Sequence, residues 1–132
     1  MLPHEDTRAD SIRNALPVRR HAAVVGERYA MSTLQKALVV GSGSIARRHL
    51  ANFRQLLPGA EVGCVSASGR SLASGETTAT TQLQSMSAAI AWLPDLAVVA
   101  SPAPLHLEHA RQLLEAGVPV LIEKPLSDSL ER

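Results

Sequence analysis

Apolar and polar positions alternate in blocks along this chain. Short, almost wholly apolar runs occur at Ala37–Gly41, Glu61–Ser66, Leu96–Ser101 and Val118–Glu123. Such runs predict strands covered on both faces, as in a parallel sheet. Between them the apolar residues recur at helical spacing. Ala46, Leu50, Phe53 and Leu57 share one face of a helix predicted over Ser44–Leu57, which Pro58-Gly59 stops. Further helices are predicted over Ser85–Leu93, before the Pro94-Asp95 break, and over Leu105–Ala116, before Gly117. The polar stretch Ser68–Thr81 is expected to hold a short helix and a third strand at its TTATT segment, residues 77–81. Strand and helix signals therefore alternate from Lys36 onward. The fold class this predicts is α/β, a Rossmann-type doubly wound parallel sheet of about five strands.

The two ends depart from that pattern. Residues 1–34 mix charges, as in His4-Glu5-Asp6 and Arg19-Arg20-His21, without a sustained apolar period. They are expected to form a disordered extension, with Met31 as the biological start. Residues 35–132 form the predicted nucleotide-binding domain. At the other end, Ser127-Asp128-Ser129 resembles a helix start, with Asp128 and Glu131 as a capping box. A helix of one turn does not repay its nucleation cost. The domain is therefore expected to be incomplete there, its sheet lacking a last strand.

Composition narrows the function. A net charge of +1 favours neither nucleic acid nor a membrane surface as partner. The apolar runs are too short to span a bilayer. Aromatics make up 2% of the chain, so the core must be aliphatic. The single cysteine, Cys64, fits a reducing cytoplasm and reads as a small core residue. Trp92 is expected to pack at a helix end. His49 reads as a helix surface or capping residue, and His106 and His109 lack a third ligand for a metal.

Chemistry enters at the first strand-to-helix junction. Gly41, Gly43 and Ala46 follow the G-x-G-x-x-G/A spacing after a strand and before a helix. Gly41 suits the tight turn, Gly43 lets a pyrophosphate approach the backbone, and Ala46 lets helix and strand pack closely. The N–H groups of Ser42, Ser44 and Ile45 are then placed to face phosphates. The end of the second strand, Ser66-Ala67-Ser68-Gly69-Arg70, has no carboxylate for a ribose 2′-hydroxyl. Two hydroxyls and a guanidinium suit a 2′-phosphate, so NADP is favoured over NAD. Ser101 and Pro102 sit where the fourth strand ends, the rim on which ligands bind in such sheets. Glu123-Lys124-Pro125 closes the fifth strand on the same rim. Lys124 is suited to orient a hydroxyl or exchange a proton, with Glu123 to hold its head.

These segments together resemble the N-terminal domain of the glucose–fructose oxidoreductase/inositol dehydrogenase (Gfo/Idh/MocA) family. The likeness rests on VVGSGSIARRHL, VVASPAPLHLEHARQLLEAG and VLIEKPLSDSLE, in the family's order and spacing. It implies a Rossmann domain followed by an α/β substrate domain, and hydride transfer between NAD(P) and a sugar, cyclitol or nucleotide-sugar carbon. By position it implies cofactor contacts at Gly41, Gly43, Ala46, Ser101, Pro102 and His106. It also implies catalytic contact at Lys124, beside Glu123. The family's catalytic His and Asp lie in a second domain with no counterpart in these residues. The chain is thus expected to bind nucleotide without catalysing alone, its partner being a separate substrate-domain chain or a second copy. The alternative is a stand-alone nucleotide-binding module. A methyltransferase is disfavoured, because the EKP segment has no task there.

Overall fold

The computed structural model describes residues 33–68, 70 and 78–131. Nearly all of the expected N-terminal extension and most of the polar stretch after Ser68 lie outside them. Five strands form one all-parallel sheet in the order β3-β2-β1-β4-β5. They are β1 (Lys36–Val40), β2 (Glu61–Val65), β3 (Thr81–Leu83), β4 (Leu96–Val99) and β5 (Val120–Ile122). The helices are α1 (Ser44–Leu56), α2 (Met86–Ala91) and α3 (His106–Glu115), with a 3-10 turn at Ala103–Leu105 leading into α3.

The period of two in β1 builds both halves of the core. Ala37 and Val39 face the layer that holds Leu50, Phe53 and Leu57 of the α1 segment. Leu38 and Val40 face the opposite layer, with Ala89 of α2 and Ala110 and Leu113 of α3. The central strands are consequently buried on both sides, as their apolar runs predicted. Cys64 is a buried core residue, and its thiol donates to the Gly41 carbonyl at 3.3 Å.

Some boundaries differ from expectation, each for a local reason. The third strand is Thr81–Leu83 rather than the TTATT segment. Thr80 Oγ accepts the Val62 N–H at 2.9 Å, where a strand partner's carbonyl would accept it. Ladder pairing therefore begins one residue later, at Gly63 and Thr81. β5 starts at Val120 rather than Val118. The Val118 N–H is spent on Leu113 O and the Gly117 N–H on Leu114 O, a Schellman closure of α3 with Gly117 at φ +79°. The expected helix start at Ser127–Ser129 is a pair of serine turns instead. Ser127 Oγ accepts from Ser129 N–H, and Ser129 Oγ from Glu131 N–H.

At the N-terminal end of the sheet, Asp95 accepts the Gln35 and Lys36 N–H groups at 2.9 and 3.0 Å. Trp92 caps α2 and carries Lys36 Nζ 5.2 Å from its ring centroid. None of this touches the opposite, C-terminal rim, where the chemistry gathers.

Candidate nucleotide site

The glycine turn is fixed from the two strands that flank β1. Gly41 N–H donates to Val65 O at 2.8 Å, Ala100 N–H donates to Val40 O at 2.8 Å, and the Cys64 thiol holds Gly41 O. Gly41 has φ +125°, and a Cβ there would lie 2.6 Å from Ala100 O. Only glycine fits. Gly43 is different: it is exposed at φ −75°, with nothing within 4 Å of where its Cβ would be. Nothing inside the chain requires glycine at this position, and the space beside it is open.

The start of α1 has the same character. Its N-cap residue is Gly43, no side chain caps it, and its first turn holds no acidic residue. The first N–H groups of a helix have no intrahelical partner and favour an anion. A cleft of about 420 Å³ opens there, lined by Ser42–Ile45, Ser66–Ser68 and Ala100–Pro102. Another hollow of about 360 Å³, at Leu34 and Leu56–Ala60, lies at the other end of the sheet, away from the start of α1.

Most of the predicted site converges on that cleft. Ser42, Gly43, Ser44, Ile45, Ser66, Ser68, Ser101 and Pro102 all line it. Gly41 and fully buried Ala46 sit beneath, one making the turn and the other letting α1 rest on the sheet. Ser66 Oγ lies 3.2 Å from Ser68 Oγ, and Arg70 is exposed just beyond them. The Ser101 hydroxyl is committed to His109 Nδ1 at 2.8 Å in a buried pair. Burial pulls His109 below the usual imidazole value. Ser101 thus meets the cleft while its Oγ is turned to α3.

His106 and Glu123, both predicted site residues, lie outside the cleft lining. His106 is absent from the cleft lining, is only 2% exposed, and has both ring nitrogens on backbone carbonyls, Ser101 O and Pro125 O. It holds backbone through whichever ring nitrogen carries the proton. Glu123 does not hold the Lys124 head; its carboxylate pairs with His49 Nε2. That bond, first, and a backbone bond and attraction from Lys124, last, hold Glu123 below the ordinary carboxylate value. The Lys124 side chain is exposed. Sequence reasoning missed the His49 role because its partner is 74 residues away. Among the described residues, no three His, Cys, Asp or Glu side chains gather as metal ligands, and no helix is long and apolar enough to cross a membrane.

The comparisons agree with this geometry. The model of the Gfo/Idh/MocA oxidoreductase family, NAD-binding Rossmann fold, matches residues 35–132. No curated protein sequence matches. Among solved structures, the WlbA dehydrogenase from Bordetella pertussis, in complex with NADH and UDP-GlcNAcA, is 28% identical with a TM-score of 0.57, over 73% of this chain and 30% of that one. The UDP-N-acetylglucosamine 3-dehydrogenase GnnA from Acidithiobacillus ferrooxidans is 26% identical with a TM-score of 0.57, over 73% of this chain and 31% of that one. The myo-inositol 2-dehydrogenase from Lactobacillus plantarum, at 22% identity and TM-score 0.61 over 74% of this chain, shows the shared fold alone. This chain spans about 30% of the length of these structures.

Proposed function

The chain belongs to the Gfo/Idh/MocA oxidoreductase family, and from that premise we propose that it is the nucleotide-holding part of a dehydrogenase. The reaction is hydride transfer between NAD(P) and a hydroxyl-bearing carbon of a sugar, cyclitol or nucleotide sugar. The nucleotide sugars named for two structural neighbours, at 28% and 26% identity, support that class. Residues supplied downstream or by a separate chain complete the substrate pocket. The bound dinucleotide supplies the hydride acceptor or donor.

The observation that carries the reading is Gly43, a glycine with open space where its Cβ would point, at the uncapped start of α1. In this reading the first-turn N–H groups hold the pyrophosphate. Ser66, Ser68 and Arg70 meet the adenine ribose. With two hydroxyls, a guanidinium and no carboxylate, NADP is the preferred form. Pro102 and the Ser101 backbone shape the wall toward the nicotinamide end. Lys124 meets the substrate hydroxyl and exchanges or orients its proton. A reducing cytoplasm is the proposed location. The test is equilibrium titration of the chain with NADPH and NADH, followed by nicotinamide fluorescence. A charge-assisted hydrogen bond contributes about 1.5–3 kcal/mol, so NADPH should bind at least about tenfold more tightly. Equal affinities, or tighter NADH, would overturn the NADP preference. No binding of either would overturn the reading.

A further inference from the structure

Two histidines on different helices hold the two residues that flank Lys124. On one side, His49 of α1 pairs through Nε2 with the Glu123 carboxylate at 2.5 Å. On the other, His106 at the start of α3 spans two carbonyls, with Nδ1 2.8 Å from Pro125 O and Nε2 against Ser101 O. Carbonyl oxygens only accept, so a His106 ring nitrogen bonds its carbonyl only where it carries the proton, and a neutral ring donates to one of the two. The Glu123 N–H donates to Val99 O at 2.9 Å, fixing the strand end from β4. Lys124 lies between these anchors with its side chain exposed.

From this we infer that His49 and His106 are positioning residues, which lock the Glu123–Pro125 turn and so fix where Lys124 stands on the cofactor rim. The assignment rests on the reading of Lys124 as the residue that meets the substrate. The energetic logic is entropic. An exposed turn after a short edge strand has few contacts of its own. Ordering one backbone residue costs about 1–2 kcal/mol, and the anchors meet that cost before ligand arrives. The anchors also couple the turn to the helix that holds the pyrophosphate, since His49 is on α1.

The chain contains two lysines, Lys36 and Lys124. Labelling with ¹⁵N-lysine therefore gives two backbone amide peaks. Lys36 N–H donates to Asp95 at the opposite end of the sheet and reports folding. In the wild type both amides should have order parameters near 0.85. In His49→Ala and His106→Ala the Lys124 value should fall below about 0.6 while Lys36 stays rigid. His49→Gln, which keeps a donor near the Nε2 position, should restore it. His49→Ala should also raise the Glu123 carboxylate titration, read at the Lys124 amide, toward the ordinary value of about 4.3. His106→Asn keeps one side-chain N–H and replaces His106→Ala if that variant loses the Lys36 signal. A Lys124 amide that is mobile in the wild type, or rigid in both alanine variants, overturns the assignment. Adding NADPH separates the two readings. A rigid wild-type Lys124 with neither peak moved by NADPH removes the cofactor reading and leaves the clamp standing.

Discussion

Gly41 and Gly43 stand two residues apart in one turn, yet alanine at each should fail in a different way. At Gly41 an added Cβ would lie 2.6 Å from Ala100 O, 2.8 Å from Ala100 C and 3.0 Å from Ser101 N. All three are backbone atoms at the end of a buried strand, so no side chain can swing aside. The φ of +125° adds its own strain. A sparsely populated backbone region costs about 1–3 kcal/mol and overpacking about 1–3 kcal/mol more. Even the low sum, about 2 kcal/mol, should lower Tm by about 8–16 °C in a domain of this size. At Gly43 the backbone is ordinary and the space empty. Losing glycine as a cap costs about 0.5–1 kcal/mol, and the stiffer unfolded chain returns about 0.4–1 kcal/mol. Gly43→Ala should therefore leave Tm within about 5 °C. Under the proposed function, its methyl group would instead stand where the pyrophosphate approaches. Loss of one charge-assisted bond weakens NADPH binding by about 10- to 100-fold. Thermal unfolding of both variants, with NADPH titration of Gly43→Ala, separates the effects. Unchanged NADPH affinity in Gly43→Ala, or an unchanged Tm in Gly41→Ala, would refute this division of labour.

Three further outcomes follow from the same geometry. Ser68→Asp with Arg70→Glu should reduce the ratio of NADPH to NADH affinity by tenfold or more in paired fluorescence titrations. Gly63→Ala would place a Cβ 2.8 Å from Trp92 Cζ3; the ring must shift off β2, costing about 1–3 kcal/mol, with a changed emission spectrum from the single tryptophan. Glu123 sits below the ordinary carboxylate value because His49 bonds it. Its contribution is present above the unfolded value of about 4.3 and is lost as pH falls through the lower folded value. Melting curves of the wild type should therefore fall more steeply below about pH 4.5 than those of Glu123→Gln.

Local signals carried far in this chain. The strands β1, β2 and β4 were readable because burial on both faces demands unbroken apolar runs. Gly117 marked the end of α3 because only a residue tolerant of positive φ closes it there. The cleft was readable because its glycines, serines and prolines sit at strand ends, where topology alone brings them to one rim. What the sequence hid depends on long-range partners. Glu123 stands beside Lys124 in sequence, but the backbone turn delivers its carboxylate to His49. The partners of His106, Ser101 O and Pro125 O, are backbone atoms that no residue type advertises. The start of β3 was misplaced because the Thr80 hydroxyl mimics a strand partner. A run of threonines does not say which of them will do so.

The central claim is that the glycine turn of this chain holds a dinucleotide. The most direct measurement is thermal unfolding of the chain with and without NADPH at a hundredfold excess over Kd. Binding to the folded state alone adds about 2.7 kcal/mol at that excess, which should raise Tm by about 10–20 °C. A cooperative transition that neither NADPH nor NADH moves would contradict the account, because the turn would then be formed and yet hold nothing.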